Sequence, residues 1–171
     1  MYHFSMKTIV ITGMMGAGKT TVAKLLADAL NLKCLDIDTI VEQQEKMTIA
    51  EMFAQKGESY FRKLENQTII SNFQNEELVI SLGGGALENP QTRNFLLKNS
   101  NIVFLKTSPE IIFERIKNNT SRPLLNNKMS VDKIKEILNK REKNYNTATI
   151  VVNTDNKLPN MVVREIIGAL K

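Results

Sequence analysis

The chain has one cysteine, one histidine, no tryptophan and only four prolines among its 171 residues. A lone thiol, Cys34, excludes an internal disulfide and fits a reducing cytoplasm. The lone histidine, His3, lies in the opening segment, where a solvated side chain is expected, so histidine-based catalysis is not. Aromatic residues make up 6% of the chain and its basic residues form no long block, so a formal net charge of +5 points to a site for small anions rather than to a nucleic-acid surface. No apolar stretch approaches the roughly 20 residues that span a bilayer. The start, MYHFSMKTIVI, lacks the charged n-region and long apolar core of a secretory signal. Neither nucleic acid nor membrane is therefore an expected partner, and the cytoplasm is the expected location.

Internal repeats, low-complexity tracts and domain-dividing linkers are missing as well. What is present is ordinary for a globular protein, 42% hydrophobic and 24% charged. The length suits one domain, residues 1–171, able to build a core without disulfides. Residues 1–6 read as a disordered start, and Met6 is an alternative first residue. With no heptad seam and no sticky strand, a monomer is the expected state.

Five short runs rich in Ile, Val and Leu recur along the chain: TIVIT (8–12), KCLDI (33–37), ELVIS (77–81), NIVFL (101–105) and TIVVN (149–153). Runs of this kind suit a parallel sheet covered on both faces. Amphipathic segments separate them, over 19–30, 39–56 (a pair, with Thr48 and Glu51 as a capping box), 58–73, 130–146 and 159–170. Asn89-Pro90 and Ser108-Pro109 each read as an N-cap followed by proline at the first helical position. The alternation predicts a three-layer α/β domain, a five-stranded parallel sheet flanked by helices. Residues 117–130, KNNTSRPLLNNKMS, break the pattern and read either as a surface loop or as a mobile lid. Arg122 within them favours the lid.

GMMGAGKTT follows the first strand and opens the first helix, fitting G-x-x-x-x-G-K-[ST] at Gly13, Gly18, Lys19 and Thr20. The backbone N–H groups of Gly16, Ala17 and Gly18 can curl around phosphate oxygens, helped by the helix N-terminus. Lys19 neutralises the β and γ oxygens, and the Thr20 hydroxyl, followed by Thr21, can ligate Mg²⁺. A nucleoside triphosphate is the implied ligand. Asn156-Lys157 is the nearest approach to a guanine reader, but Pro159 stands where its aspartate belongs, so a switch GTPase is excluded.

Asp36 and Asp38, in LDIDT, stand two residues apart at the end of the second strand. Strand alternation would turn both carboxylates to one face, beyond the C-terminal strand ends where ligands gather. One acid is then available to support a metal and the other to hold a substrate hydroxyl; the plainer alternative is a solvated strand end. SLGGGA (81–86) raises a second question, because three successive glycines weaken regular structure and the chain already has a phosphate loop.

Gly13–Thr21, the pair Asp36/Asp38, GESYFRKLE (57–65), SLGGGA (81–86), SRPLL (121–125) and KREKNY (140–145) stand in the order and spacing of the shikimate kinase family, which the chain resembles over about residues 7–170. The resemblance implies a P-loop kinase fold, ATP and shikimate as substrates, Mg²⁺ as cofactor, and transfer to the 3-hydroxyl of shikimate in the route to chorismate and the aromatic amino acids. It implies that Arg62 and Arg141 bind the shikimate carboxylate, Asp38 the ring hydroxyls, and Gly83, Gly84 and Gly85 the substrate through close backbone approach. Glu65 would orient Arg62, and Thr20 and Asp36 would support the metal. Lys19, Asp38 and Arg122 would be the catalytic groups, with Arg122 reaching over the nucleotide phosphates and Arg115 and Lys157 on the adenine side. The chain departs from the pattern after Arg141, where Lys143 replaces the proline of R-x-P-x-Y while Tyr145 remains. A kinase for another small hydroxy acid or a nucleoside, and a nucleotide-binding module without turnover, are the competing readings.

Overall fold

The computed structural model describes residues 7–73, 77–117 and 129–170. Strands β1 (Thr8–Thr12), β2 (Lys33–Asp36), β3 (Leu78–Ser81), β4 (Ser100–Lys106) and β5 (Ile150–Asn153) form one parallel sheet in the order β2-β3-β1-β4-β5. Helices α1 (Lys19–Leu30), α2 (Ile37–Glu45), α3 (Ile49–Lys56), α4 (Glu58–Asn72), α5 (Pro90–Asn99), α6 (Pro109–Lys117), α7 (Val131–Tyr145) and α8 (Pro159–Ala169) connect and flank the strands. The expected five strands and their flanking helices are all present. The expected lid lies outside the described residues, except at its ends, and Arg122 lies outside them too.

Side chains of the central strands alternate between two cores. Val10, Ile80, Ile102 and Phe104 face α2, α4, α5 and α7, whereas Ile9, Ile11, Val79, Val103 and Leu105 face α1 and α8. Both faces are dry, so the strands read as continuous apolar runs rather than as alternating ones. Burying such side chains stabilises the fold by about 1.5–3 kcal/mol each. A smaller cluster of Met14, Ile112, Ile116 and Ile134 packs the phosphate loop against α6 and α7.

Local signals set the helix ends. Thr48 and Glu51 form the expected capping box on α3, and Asn89 caps α5 ahead of Pro90. Gly57, at φ 84°, serves as the C-cap of α3 and the N-cap of α4, a left-handed corner that glycine adopts without a Cβ penalty. From that corner α4 brings Arg62 and Glu65 against the loop that follows β3. Lys143, where the R-x-P-x-Y pattern has proline, lets α7 run without a break to Tyr145.

Candidate active site

The first glycine loop leaves the end of β1, and Gly18 takes φ 91° at the N-cap of α1. A side chain at that backbone angle is strained, which accounts for glycine at this position. Lys19 Nζ donates to the Met14 carbonyl at 3.0 Å, so the lysine lies back over its own loop. Arg115, from α6, reaches the same loop and donates through Nη1 to the Gly16 carbonyl at 3.1 Å. Lys157, by contrast, is engaged by Glu165 of α8 at 2.8 Å.

Asp36 and Asp38 do not share a strand face. Asp36 ends β2 and caps α2, accepting from the Thr39 N–H at 3.1 Å, so helical backbone begins at Ile37 and Asp38 lies in the first helical turn. Strand alternation no longer applies beyond the cap, and the two carboxylates part. Asp36 Oδ2 accepts from the Thr20 hydroxyl at 2.7 Å, joining the end of β2 to the first turn of α1. Asp38 turns instead toward Gly83.

The second glycine run answers its question by what surrounds it. A Cβ on Gly83 would lie 2.7 Å from Glu65 Oε1 and 2.8 Å from Asp38 Oδ1. On Gly84 it would lie 3.2 Å from the Gly13 carbonyl and 3.5 Å from Arg141 Nη1, and on Gly85 it would fall within the Arg62 guanidinium. None of the three has a positive φ, so the requirement is for space rather than for backbone freedom. Two carboxylates, two guanidinium groups and the phosphate loop all press on a strip of backbone without side chains.

Arg62 is held from outside that strip and Arg141 by the strip itself. Arg62 Nη1 donates to Glu65 Oε2 at 2.8 Å, one turn along α4. Glu65 is buried, with 2% of its side chain exposed, and its Oε1 has no hydrogen-bond partner among the described residues. Burial pushes the Glu65 carboxyl up to about 6; the Arg62 charge opposes the shift, and the Asp38 carboxylate adds to it. Arg141 Nη1 donates to the Gly84 carbonyl at 3.1 Å and touches Met14 Sδ at 3.7 Å. The same carbonyl accepts from the Tyr145 hydroxyl at 2.5 Å, and the Tyr145 ring stacks on Phe104 at 4.6 Å.

The structure thus brings Lys19, Thr20, Asp36, Asp38, Arg62, Gly83–Gly85, Arg115 and Arg141 to the C-terminal edge of the sheet. Sequence reasoning passed over Glu58 and Met14. Glu58 accepts from Nε and Nη2 of Arg62 at 3.3 and 3.2 Å, and its i,i+4 spacing was a readable signal. Met14 looked like an arbitrary loop residue.

This arrangement can be set beside known proteins. Residues 15–171 match the family model described as shikimate kinase. The shikimate kinase of Sulfurihydrogenibium sp. (strain YO3AOP1) is 43% identical over 166 residues, covering 97% of this chain and 99% of that protein. A solved shikimate kinase from Acinetobacter baumannii, in complex with shikimate, superposes with a TM-score of 0.89 at 30% identity, covering 95% of this chain and 92% of its own. The Aquifex aeolicus enzyme gives 0.83 at 39% identity, covering 95% of each chain. A gluconokinase from Sinorhizobium meliloti shares the fold at a TM-score of 0.54 but only 17% of its residues over 97% of this chain and 92% of its own, which speaks for common architecture alone. With the model match and the identity both running the length of the chain, it belongs to the shikimate kinase family.

Proposed function

We propose that the protein transfers the γ-phosphoryl group of ATP to the 3-hydroxyl of shikimate, giving shikimate 3-phosphate and ADP on the way to chorismate. The observation that carries this reading is the convergence of Arg62, Arg141 and Asp38 on Gly83–Gly85, directly against the phosphate loop. Arginines at one end of a cleft and a carboxylate at the other suit a small hydroxylated acid.

Phosphoryl transfer through a loose transition state needs alignment and charge neutralisation above all. In this reading the N–H groups of Gly16, Ala17 and Gly18, with Thr20 and Thr21, cradle the nucleotide phosphates. Lys19 exchanges the Met14 carbonyl for phosphate oxygens, and Arg122 closes over them. Arg115 and Lys157 border the nucleotide. Arg62 and Arg141 take the substrate carboxylate, and Asp38 accepts from the hydroxyl that attacks.

The donor set between α1 and β2 fits Mg²⁺: a hydroxyl and a carboxylate, both hard oxygens, meet at Thr20 and Asp36. Mg²⁺ bound there would neutralise charge on the transferring phosphoryl group. No cluster of three acidic, histidine or cysteine side chains that could hold a metal occurs among the described residues. Mg²⁺ bound with ATP needs no such cluster, since it takes most ligands from phosphates and water. The reading includes one domain over residues 1–171, working as a cytoplasmic monomer; among the described residues no helix is long and apolar enough to cross a membrane.

A substrate panel with coupled ADP detection tests the function. Shikimate-dependent ADP release is expected, with little from gluconate or nucleosides; no release with shikimate overturns the reading. The glycine strip gives a second test. Gly85→Ala forces the Arg62 guanidinium aside and is expected to raise the shikimate KM about tenfold or more, since misplacing a binding group by about 1 Å has effects of that order. The control is Gly168→Ala, in α8, where no atom of another described element lies within 4 Å of the added methyl. Equal KM values for the two variants would reduce the strip to an ordinary turn.

A further inference from the structure

The outer edge of Arg62 is already occupied. Its Nη1 belongs to Glu65, while Nε and Nη2, the fork best suited to a bidentate carboxylate, both donate to the single oxygen Oε1 of Glu58. The two acids are not equivalent. Glu65 is 2% exposed and built into the core of the site, whereas Glu58 is 65% exposed and reaches the guanidinium from the first turn of α4. Its contacts of 3.3 and 3.2 Å are longer than the 2.8 Å bond to Glu65. Glu58 and Arg62 line an open cleft of about 540 Å³ together with Glu88, Asn89, Pro90 and Gln91.

We propose that Glu58 is a specificity-determining residue, a resident carboxylate that holds the Nε/Nη2 edge of Arg62 until the substrate carboxylate displaces it. The proposal rests on the reading that Arg62 receives that carboxylate. Binding is then an exchange, in which one exposed ion pair breaks and a bidentate pair forms. A neutral polyol of the same shape offers no charge with which to displace Glu58 and is left outside. The exchange also keeps the guanidinium aligned and neutralised while it waits, so its side-chain freedom is already restricted when the substrate arrives.

Calorimetric titration of shikimate into wild type, Glu58→Gln and Glu88→Gln tests this. Glu88 lines the same cleft but is bonded to Asn144, at 3.0 Å, so its variant measures the general effect of removing one negative charge. Glu58→Gln is expected to tighten the shikimate Kd about two- to fivefold, the range an exposed ion pair is worth, while Glu88→Gln stays near wild type. ATP affinity, unchanged in Glu58→Gln, reports that the variant is folded. An unchanged or weaker Kd in Glu58→Gln overturns the proposal, as does equal tightening in both variants. Wild type that binds no shikimate overturns the functional reading itself, a different result from equal binding by all three proteins.

Discussion

Asp38→Asn is expected to lower kcat about 100-fold while leaving the protein folded and the ATP KM little changed. The figure is the lower end of the range for a positioned acid–base group, because a loose transition state asks more for alignment than for proton removal. An asparagine keeps the shape of Asp38 but presents an N–H₂ group where the attacking hydroxyl requires an acceptor. A second readout comes from Glu65. The Asp38 charge helps to hold the Glu65 carboxyl up at about 6, so removing it should let Glu65 ionise at lower pH, visible by carboxyl-selective NMR titration. Near-normal kcat in Asp38→Asn would remove this residue from the reacting centre.

Arg62→Ala is expected to raise the shikimate KM about 100-fold or more, the loss of two charge-assisted hydrogen bonds at about 1.5–3 kcal/mol each, with little change for ATP. Arg62→Lys should recover only a part of this, since a lysine restores the charge without the planar fork. The alanine variant also strips Glu65 of its cation. A carboxyl that is 2% exposed then stays protonated to higher pH rather than remain as an unpaired buried anion. Steady-state kinetics with each substrate varied in turn separate the outcomes: equal losses of affinity for shikimate and ATP would withdraw Arg62 from the carboxylate site.

Much of this was legible in the order of residues because the physics is local. The five apolar runs suit strands of a parallel sheet, with β1, β3 and β4 the buried ones, and Asn89-Pro90 and Thr48/Glu51 announce helix starts through caps that act over three residues. Strand order was not legible, because it depends on which crossovers pack, and no short-range pattern encodes that. The Asp36/Asp38 pair does stand at the end of β2, but the strand alternation expected of it fails. Asp36 ends the strand by capping a helix, so the spacing that suggested one shared face instead sends the two side chains to different partners. Glu65 was read only as a support for Arg62. Its second oxygen, buried against Gly83 with no partner among the described residues, depends on contacts between α4 and the loop after β3 that sequence spacing does not show. The lone acceptor at Gly84, shared by Arg141 and Tyr145, is likewise a product of tertiary packing.

The pairing of β1 with β3 sets Ile11 level with Ser81, and the Leu82 N–H continues the ladder to the Ile11 carbonyl at 3.0 Å. Two residues on along each strand's exit come Gly13 and Gly83, so the two glycine loops start from the same height. Their lateral separation is then one strand spacing, about 4.8 Å, a length set by backbone hydrogen bonds and insensitive to side chains. The sheet acts as a ruler between the two loops. Side-chain substitutions alter what lines the two loops, whereas a slip in strand register, about 3.3 Å per residue, would shift the starting points of the loops relative to each other.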